Sequence, residues 1–161
     1  MQENVEQTLF YVLKNVSLLP KHLLKSVTPL IKHLLKNVII YMERIVFQKL
    51  IEWKDSANRK PLILNGARQV GKTWLLEQLG DKYFDKVAYL VCRKNQALKD
   101  VLSQDFDTDR ILRALRALSG VDITPGDTLI VLDEVQDIPE AIESLKYFCE
   151  NAPQYHIIAA G

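Results

Sequence analysis

The chain lacks any marked excess of charge. Its formal net charge of +1 gives no overall field that would draw the molecule to nucleic acid or to a membrane surface, so such binding would need a local patch. It also lacks a cysteine framework: Cys92 and Cys149 are its two cysteines, and neither stands in a metal-type spacing. Both sit in apolar stretches, which suits small buried residues in a reducing compartment. No run reaches the ~20 apolar residues that a membrane span requires. The opening Met1-Gln2-Glu3-Asn4 has no basic segment ahead of an apolar block, so it does not read as a secretory signal. The expected location is the cytoplasm. What is present is ordinary globular composition, 48% hydrophobic and 25% charged, in a length suited to one domain.

Two compositions meet near Met42. Residues 5–41 hold five lysines, two histidines and one acid, Glu6. The segment repeats itself: Lys21-His22-Leu23-Leu24-Lys25-Ser26-Val27 returns eleven residues later as Lys32-His33-Leu34-Leu35-Lys36-Asn37-Val38. An 11-residue period suits a straight or slightly right-handed helix, but Pro20 and Pro29 interrupt it. Three readings stay open for residues 1–41: amphipathic helices resting on a membrane or partner, packing onto the core, or a short DNA repeat read in frame upstream of a start at Met42. The expected division is a repetitive extension over 1–41 and a domain over 42–161.

From Met42 onward, helix and strand patterns alternate. Ile45, Val46, Leu50, Ile51 and Trp53 have helical spacing, and Pro61 ends that segment. Leu62–Leu64 suits a buried parallel strand. Residues 72–79 read as a helix stopped by Gly80. Val87–Val91 is a second strand. Asp107 can cap a helix ending at Gly120, with Ile111, Leu112, Leu115 and Leu118 on its apolar face. Pro125-Gly126 is a turn, Thr128–Leu132 a third strand, and His156–Ala160 a fourth. Asp137 is placed to cap the helix between those two strands, with Pro139 in its first turn. Trp53 and Trp74 read as core or near-core, and His156 as structural. The alternation predicts an α/β fold, a parallel sheet with helices on both faces.

Two stretches carry chemistry. Gly66-Ala67-Arg68-Gln69-Val70-Gly71-Lys72-Thr73 has the phosphate-loop pattern, and it follows an apolar strand and opens a helix. The glycines let successive N–H groups turn inward as an anion nest, and the helix N-terminus adds its partial positive charge. Lys72 is placed to reach the β- and γ-phosphates, and the Thr73 hydroxyl to hold Mg²⁺. Arg68 and Gln69 read as spacers. The second stretch is Leu129-Ile130-Val131-Leu132-Asp133-Glu134, an apolar strand ending in two acids. Asp133 is placed to hold Mg²⁺ through its water shell, and Glu134 to polarise an attacking water. Two adjacent carboxylates repel one another, which a dication relieves. Arg110, Arg113 and Arg116 lie along one side of a helix, either as a solvated face or as a contact for nucleic acid or a neighbouring subunit's nucleotide. Gln136 reads either as a turn residue or as a group that orients water.

On the stretches GARQVGKTWLL, LIVLDEVQ, SLKYFCENAPQYHIIAAG and MERIVFQKLIEWKDS, Met42 to Gly161 resembles the AAA-type bacterial and archaeal ATPases that carry a C-terminal DUF4143 domain. The resemblance implies a P-loop NTPase core of the additional-strand type, with strand order fifth-first-fourth-third-second. It implies ATP and Mg²⁺ as cofactors, and homo-oligomers as one mode of assembly. Such proteins continue past the residue matching Gly161 with a sensor Ser, a fifth strand, a helical lid and the C-terminal domain. On that reading the core here is incomplete at its C-terminus, the strand at Leu62–Leu64 is an edge, and hydrolysis by this chain alone is feeble. After the second strand the family shows an acidic or polar run, where this chain has Cys92-Arg93-Lys94. The expected function is Mg·ATP binding, with hydrolysis by water attack on the γ-phosphate. A P-loop kinase and a non-catalytic nucleotide-binding or interaction fragment are the alternatives. A GTPase switch ranks lower, because the chain has no Asn-Lys-x-Asp guanine reader.

Overall fold

A computed structural model describes residues 45–66 and 71–161. The expectations for residues 1–41, and those for Ala67, Arg68, Gln69 and Val70, lie outside the described residues. Residues 45–55 are helical, α1. Then follow β1 (Leu62–Leu64), α2 (Lys72–Tyr83), β2 (Lys86–Val91), α3 (Gln96–Leu102), α4 (Thr108–Ser119), β3 (Thr128–Asp133), a 3-10 turn (Val135–Asp137), α5 (Pro139–Asn151) and β4 (His156–Ala160).

The four strands form one parallel sheet in the order β1-β4-β3-β2. This is an α/β fold of the P-loop NTPase kind, and β4 stands between β1 and β3 as the additional-strand order requires. Side chains alternate across the sheet because successive residues of a strand face opposite ways. Leu129 and Val131 of β3, with Ile158 and Ala160 of β4, pack against Leu50 of α1 and Leu75, Leu76 and Leu79 of α2. Ile130, Leu132, Ile157 and Ala159 face the other way, onto Leu98 and Leu102 of α3, Ile111, Leu112 and Leu115 of α4, and Leu145 and Phe148 of α5. With both faces covered, the interiors of β3 (Leu129–Leu132) and β4 (Ile157–Ala160) must be apolar, as they are, and polar residues stand only at the strand ends. The chain steps across the sheet one way through α2 on one face, then back through α3, α4 and α5 on the other. Change of direction and change of face go together, as a common crossover handedness requires.

The register places Leu64 beside Ala160, Ala160 beside Asp133, and Asp133 beside Val91. Every strand therefore ends in the same row, and the segments that follow the strands emerge together at one end of the sheet.

Several expectations change in the folded chain. Leu62–Leu64 lies at the sheet edge, as the family resemblance implied, and so is not the buried strand its apolar run suggested: Ile63 is 43% exposed. Gly80 does not stop α2, which continues to Tyr83. It is a close-approach glycine instead, since a Cβ there would stand 2.4 Å from Cγ2 of Val87 on β2. Asp137 does not cap α5: Ile138 takes the N-cap position without a side-chain bond, and Pro139 opens the helix. Leu118 and Trp74 are exposed by 40% and 50%, and Trp74 lines the cavity at the strand ends rather than the core. Cys92 is buried, whereas Cys149 is only partly so. Helix α3 was not anticipated, although its signals stand in the chain: the Asn95 side chain accepts from Leu98 N at 3.0 Å, and Leu98 and Leu102 form a one-sided apolar pair. For α4 the expected cap holds, with Asp107 accepting from Arg110 N at 2.7 Å and Gly120 left-handed at φ 69°.

The arginines of α4 fasten loops. Arg110 donates to Asp105 Oδ1 through Nε at 2.8 Å and to Val101 O through Nη2 at 2.8 Å. Arg116 donates to Ile123 O at 3.1 and 2.7 Å. Neither forms part of a free basic face, and Arg113 alone of the three is fully exposed.

At the opposite end of the sheet from the row of strand ends, His156 opens β4 between Trp53 and Phe84, whose rings it meets edge-on at 5.9 and 4.9 Å. Its Nε2 lies 3.3 Å from Lys54 O. A carbonyl can only accept, so Nε2 carries the proton, and the buried Nδ1 has no partner. Burial above all, then the charge of Arg59, pushes the imidazole pKa down to about 4.

Two predictions follow from this packing. Gly80→Ala would stabilise an open helix, but here the 2.4 Å approach to Val87 decides the sign. Overpacking should cost roughly 1–3 kcal/mol in a denaturant titration, and Val87→Ala should restore most of it. A neutral or stabilising Gly80→Ala would show that α2 and β2 are not in such close contact. For His156, the folded pKa of about 4 lies below the ordinary value of 6.5. Its contribution is therefore fully present above pH ~6.5 and is lost as pH falls toward ~4, by up to roughly 3 kcal/mol. His156→Leu should flatten the stability curve in that window, and an unchanged slope would contradict the assignment.

Candidate functional site

The shared row of strand ends brings distant residues together. Helix α2 begins directly after Gly71, which adopts φ 89°, a left-handed conformation that favours glycine. Its first residue, Lys72, donates from Nζ to Gly66 O at 2.6 Å, tying the two described ends of the glycine loop together. Thr73 follows on the first turn of α2. From β3 come Asp133 and Glu134. These residues line one cavity of about 570 Å³, joined by Trp74, Arg93 and Gln136. Gly66, Gly71, Lys72, Thr73, Asp133 and Glu134 are thus gathered at one place, while Ala67, Arg68, Gln69 and Val70 fall outside the described residues.

The two acids have different surroundings. Asp133 lies in line with Leu129 and Val131 and so shares the α2 face of the sheet. Its Oδ1 accepts from Glu134 N at 2.9 Å, and its Oδ2 accepts from the Tyr89 hydroxyl at 2.5 Å. Glu134 stands at φ 56°, a conformation that costs a non-glycine residue ~1 kcal/mol or more and turns the chain sharply out of the sheet. Its Oε2 accepts from Arg93 Nη2 at 2.8 Å and from Gln136 Nε2. Arg93 also has its Nε 3.9 Å from Asp137 Oδ2. The carboxylate expected to polarise water is therefore held by a guanidinium from the segment after β2. Beneath it, burial first and then the charges of Asp133 and Asp137 push the Cys92 thiol up to about 11, so it stays protonated and inert.

Tyr89 lies on the α2 face of β2. Burial above all, and then its bond to Asp133, raise the phenol pKa well above the usual range, while the Thr73 hydroxyl opposes the rise. It is a firm donor at any ordinary pH. Thr73 and Asp133 line the same cavity.

This pair suits a small hard cation. Its donors are a hydroxyl and a carboxylate, both oxygen. Among the described residues no group of three or more His, Cys, Asp or Glu side chains could hold a metal ion. A cation here would complete its shell with water and phosphate oxygens, which is the habit of Mg²⁺ rather than of a caged structural metal.

Sequence reasoning missed Arg93 as a site residue, although Cys92-Arg93-Lys94 marked a departure from the family pattern. It missed Tyr89 altogether, since a tyrosine inside an apolar strand signals packing. Gln136, left between two roles, is a partner of Glu134.

An additional-strand parallel sheet with a glycine loop, a helix N-terminus and two acids at one end defines a nucleotide-binding domain of the P-loop class. The AAA domain family matches residues 58–161, more than half of the chain, and the protein belongs to it. Family membership carries nucleotide binding and ATPase-type activity as its general function. A comparison with curated proteins finds none that matches. No helix among the described residues is long and apolar enough to cross a membrane.

Proposed function

We propose that the chain binds Mg·ATP in the cavity between the start of α2 and the end of β3, and that the AAA domain hydrolyses ATP there. The carrying observation is the convergence of Lys72 and Thr73 with Asp133 and Glu134 in one cavity, from stretches about sixty residues apart in sequence. The N-terminal amides of α2 and the Lys72 ammonium present positive charge to the phosphates. To do so, Lys72 exchanges its bond to Gly66 O for phosphate oxygens. Thr73 and Asp133 are the residues that would hold the cation. Mg²⁺, when bound, neutralises charge on the phosphate oxygens. Glu134 takes the proton of the attacking water, which requires its Oε2 to be released from Arg93 and Gln136. The resemblance to ATPases with a C-terminal DUF4143 domain belongs to the same proposal.

A second reading is a nucleotide-binding module without turnover. The Arg93–Glu134 pair favours it, because a carboxylate that stays bound to a guanidinium is a poor base. Substitutions separate the two readings. Lys72→Ala should weaken Mg·ATP binding roughly 10- to 100-fold in calorimetry, the equivalent of losing one charged hydrogen bond of ~1.5–3 kcal/mol. Equal affinity in the two proteins would sink the site. Glu134→Gln should preserve binding and lower phosphate release about 10²-fold or more. If neither protein releases phosphate, the binding-module reading stands instead. Trp74, half exposed at the cavity wall, supplies an intrinsic fluorescence signal for both titrations.

A further inference from the structure

Tyr89 belongs to neither stretch assigned to the site. It is a strand residue, opposite Val131 in the ladder and partly buried against the core that packs on α2. A packing role alone would be served by phenylalanine. What the phenol adds is one oxygen, and that oxygen donates to Asp133 Oδ2 at 2.5 Å. The other Asp133 oxygen is engaged by Glu134 N at 2.9 Å. The carboxylate is thus gripped at both oxygens and cannot swing about its terminal bond. Tyr89 comes from β2 and Asp133 from β3, so the bond crosses between neighbouring strands of the ladder and fixes the carboxylate from outside its own segment.

We propose that Tyr89 is a positioning residue for the divalent cation: its hydroxyl fixes the orientation of the Asp133 carboxylate for Mg²⁺ bound with the nucleotide. This rests on the Mg·ATP reading of the cavity. The physical ground is the stringency of Mg²⁺, which demands short, near-octahedral oxygen contacts. A carboxylate free to rotate must be ordered on binding, and that ordering weakens the site. Outer-shell donors of this kind typically account for 10- to 100-fold in metal affinity. The carboxylate keeps bonding capacity while it is held, because Asp133 retains lone pairs on both oxygens for water of the cation's shell.

The test compares wild type with Tyr89→Phe, which removes one oxygen and keeps the packing. Nucleotide binding is followed by calorimetry with ATP in EDTA and with ATP over a titration of Mg²⁺. Wild type should bind more tightly as Mg²⁺ is added. In Tyr89→Phe the half-effective Mg²⁺ concentration should rise by about 10-fold, while the affinity in EDTA stays within about twofold of wild type. A wild type indifferent to Mg²⁺ would overturn the Mg·ATP reading itself. A wild type that responds, paired with a Tyr89→Phe variant of equal or smaller Mg²⁺ requirement, would overturn the role of Tyr89 alone. Equal weakening in EDTA and in Mg²⁺ would also overturn it, since that marks general damage to the nucleotide site.

Discussion

The parallel ladder, with its strands ending in one register row, is the constraint on which everything else depends. Leu64, Ala160, Asp133 and Val91 stand side by side at its carboxyl edge. Parallel strands cannot be joined by tight turns, so each must be followed by a segment that leaves the sheet at that edge. The glycine loop, the acids and the Arg93 segment meet there for that reason. The insertion of β4 between β1 and β3 sets the distance across which the N-terminal end of α2 faces Asp133 and Glu134. Polar groups gathered at such an edge lie beyond the apolar layers, where they need not be desolvated by the core.

Alternation of side chains then separates the two acids. Asp133 falls on the α2 face, where its partners are neutral: a backbone N–H and a phenol. Glu134, one residue on and turned by its left-handed backbone, faces a cation and an amide. Neighbouring carboxylates of like charge would otherwise raise each other's cost of ionisation. Here the second is compensated by Arg93, and the first is held by Tyr89 and the Glu134 N–H. The division of labour proposed for them, cation holding and water activation, follows the division of their surroundings.

The far end of the sheet is built on different physics. His156, Trp53, Phe84 and Arg59 lock α1 to the start of β4 with ring contacts and bonds to main-chain oxygens. Arg59 reaches Lys54 O at 3.0 Å and Pro153 O at 3.2 Å, so a single side chain joins segments ninety-four residues apart. This end is held by packing and bonds to main-chain oxygens, whereas the opposite end leaves hydroxyls and carboxylates reachable. Loop-fastening arginines on α4 serve the same structural purpose, which is why three arginines at helical spacing do not make a basic surface.

By itself the sequence determined what depends on local pattern. Apolar runs marked all four strands, Asp107 and Gly120 bounded α4, and the glycine loop and acid pair named the site, because dihedral preference, capping and period are properties of neighbouring residues. It misjudged features settled by a distant partner. Gly80 looked like a helix stop until Val87 was packed against it. Asp137 looked like a cap, Leu118 and Trp74 looked like core, and α3 was too short to announce itself. Tertiary structure alone decided that Tyr89 reaches Asp133 across forty-four residues of chain, and that Arg93 reaches Glu134 across forty-one. Those contacts are set by strand order and register, and register is a property of the assembled sheet that no single segment carries.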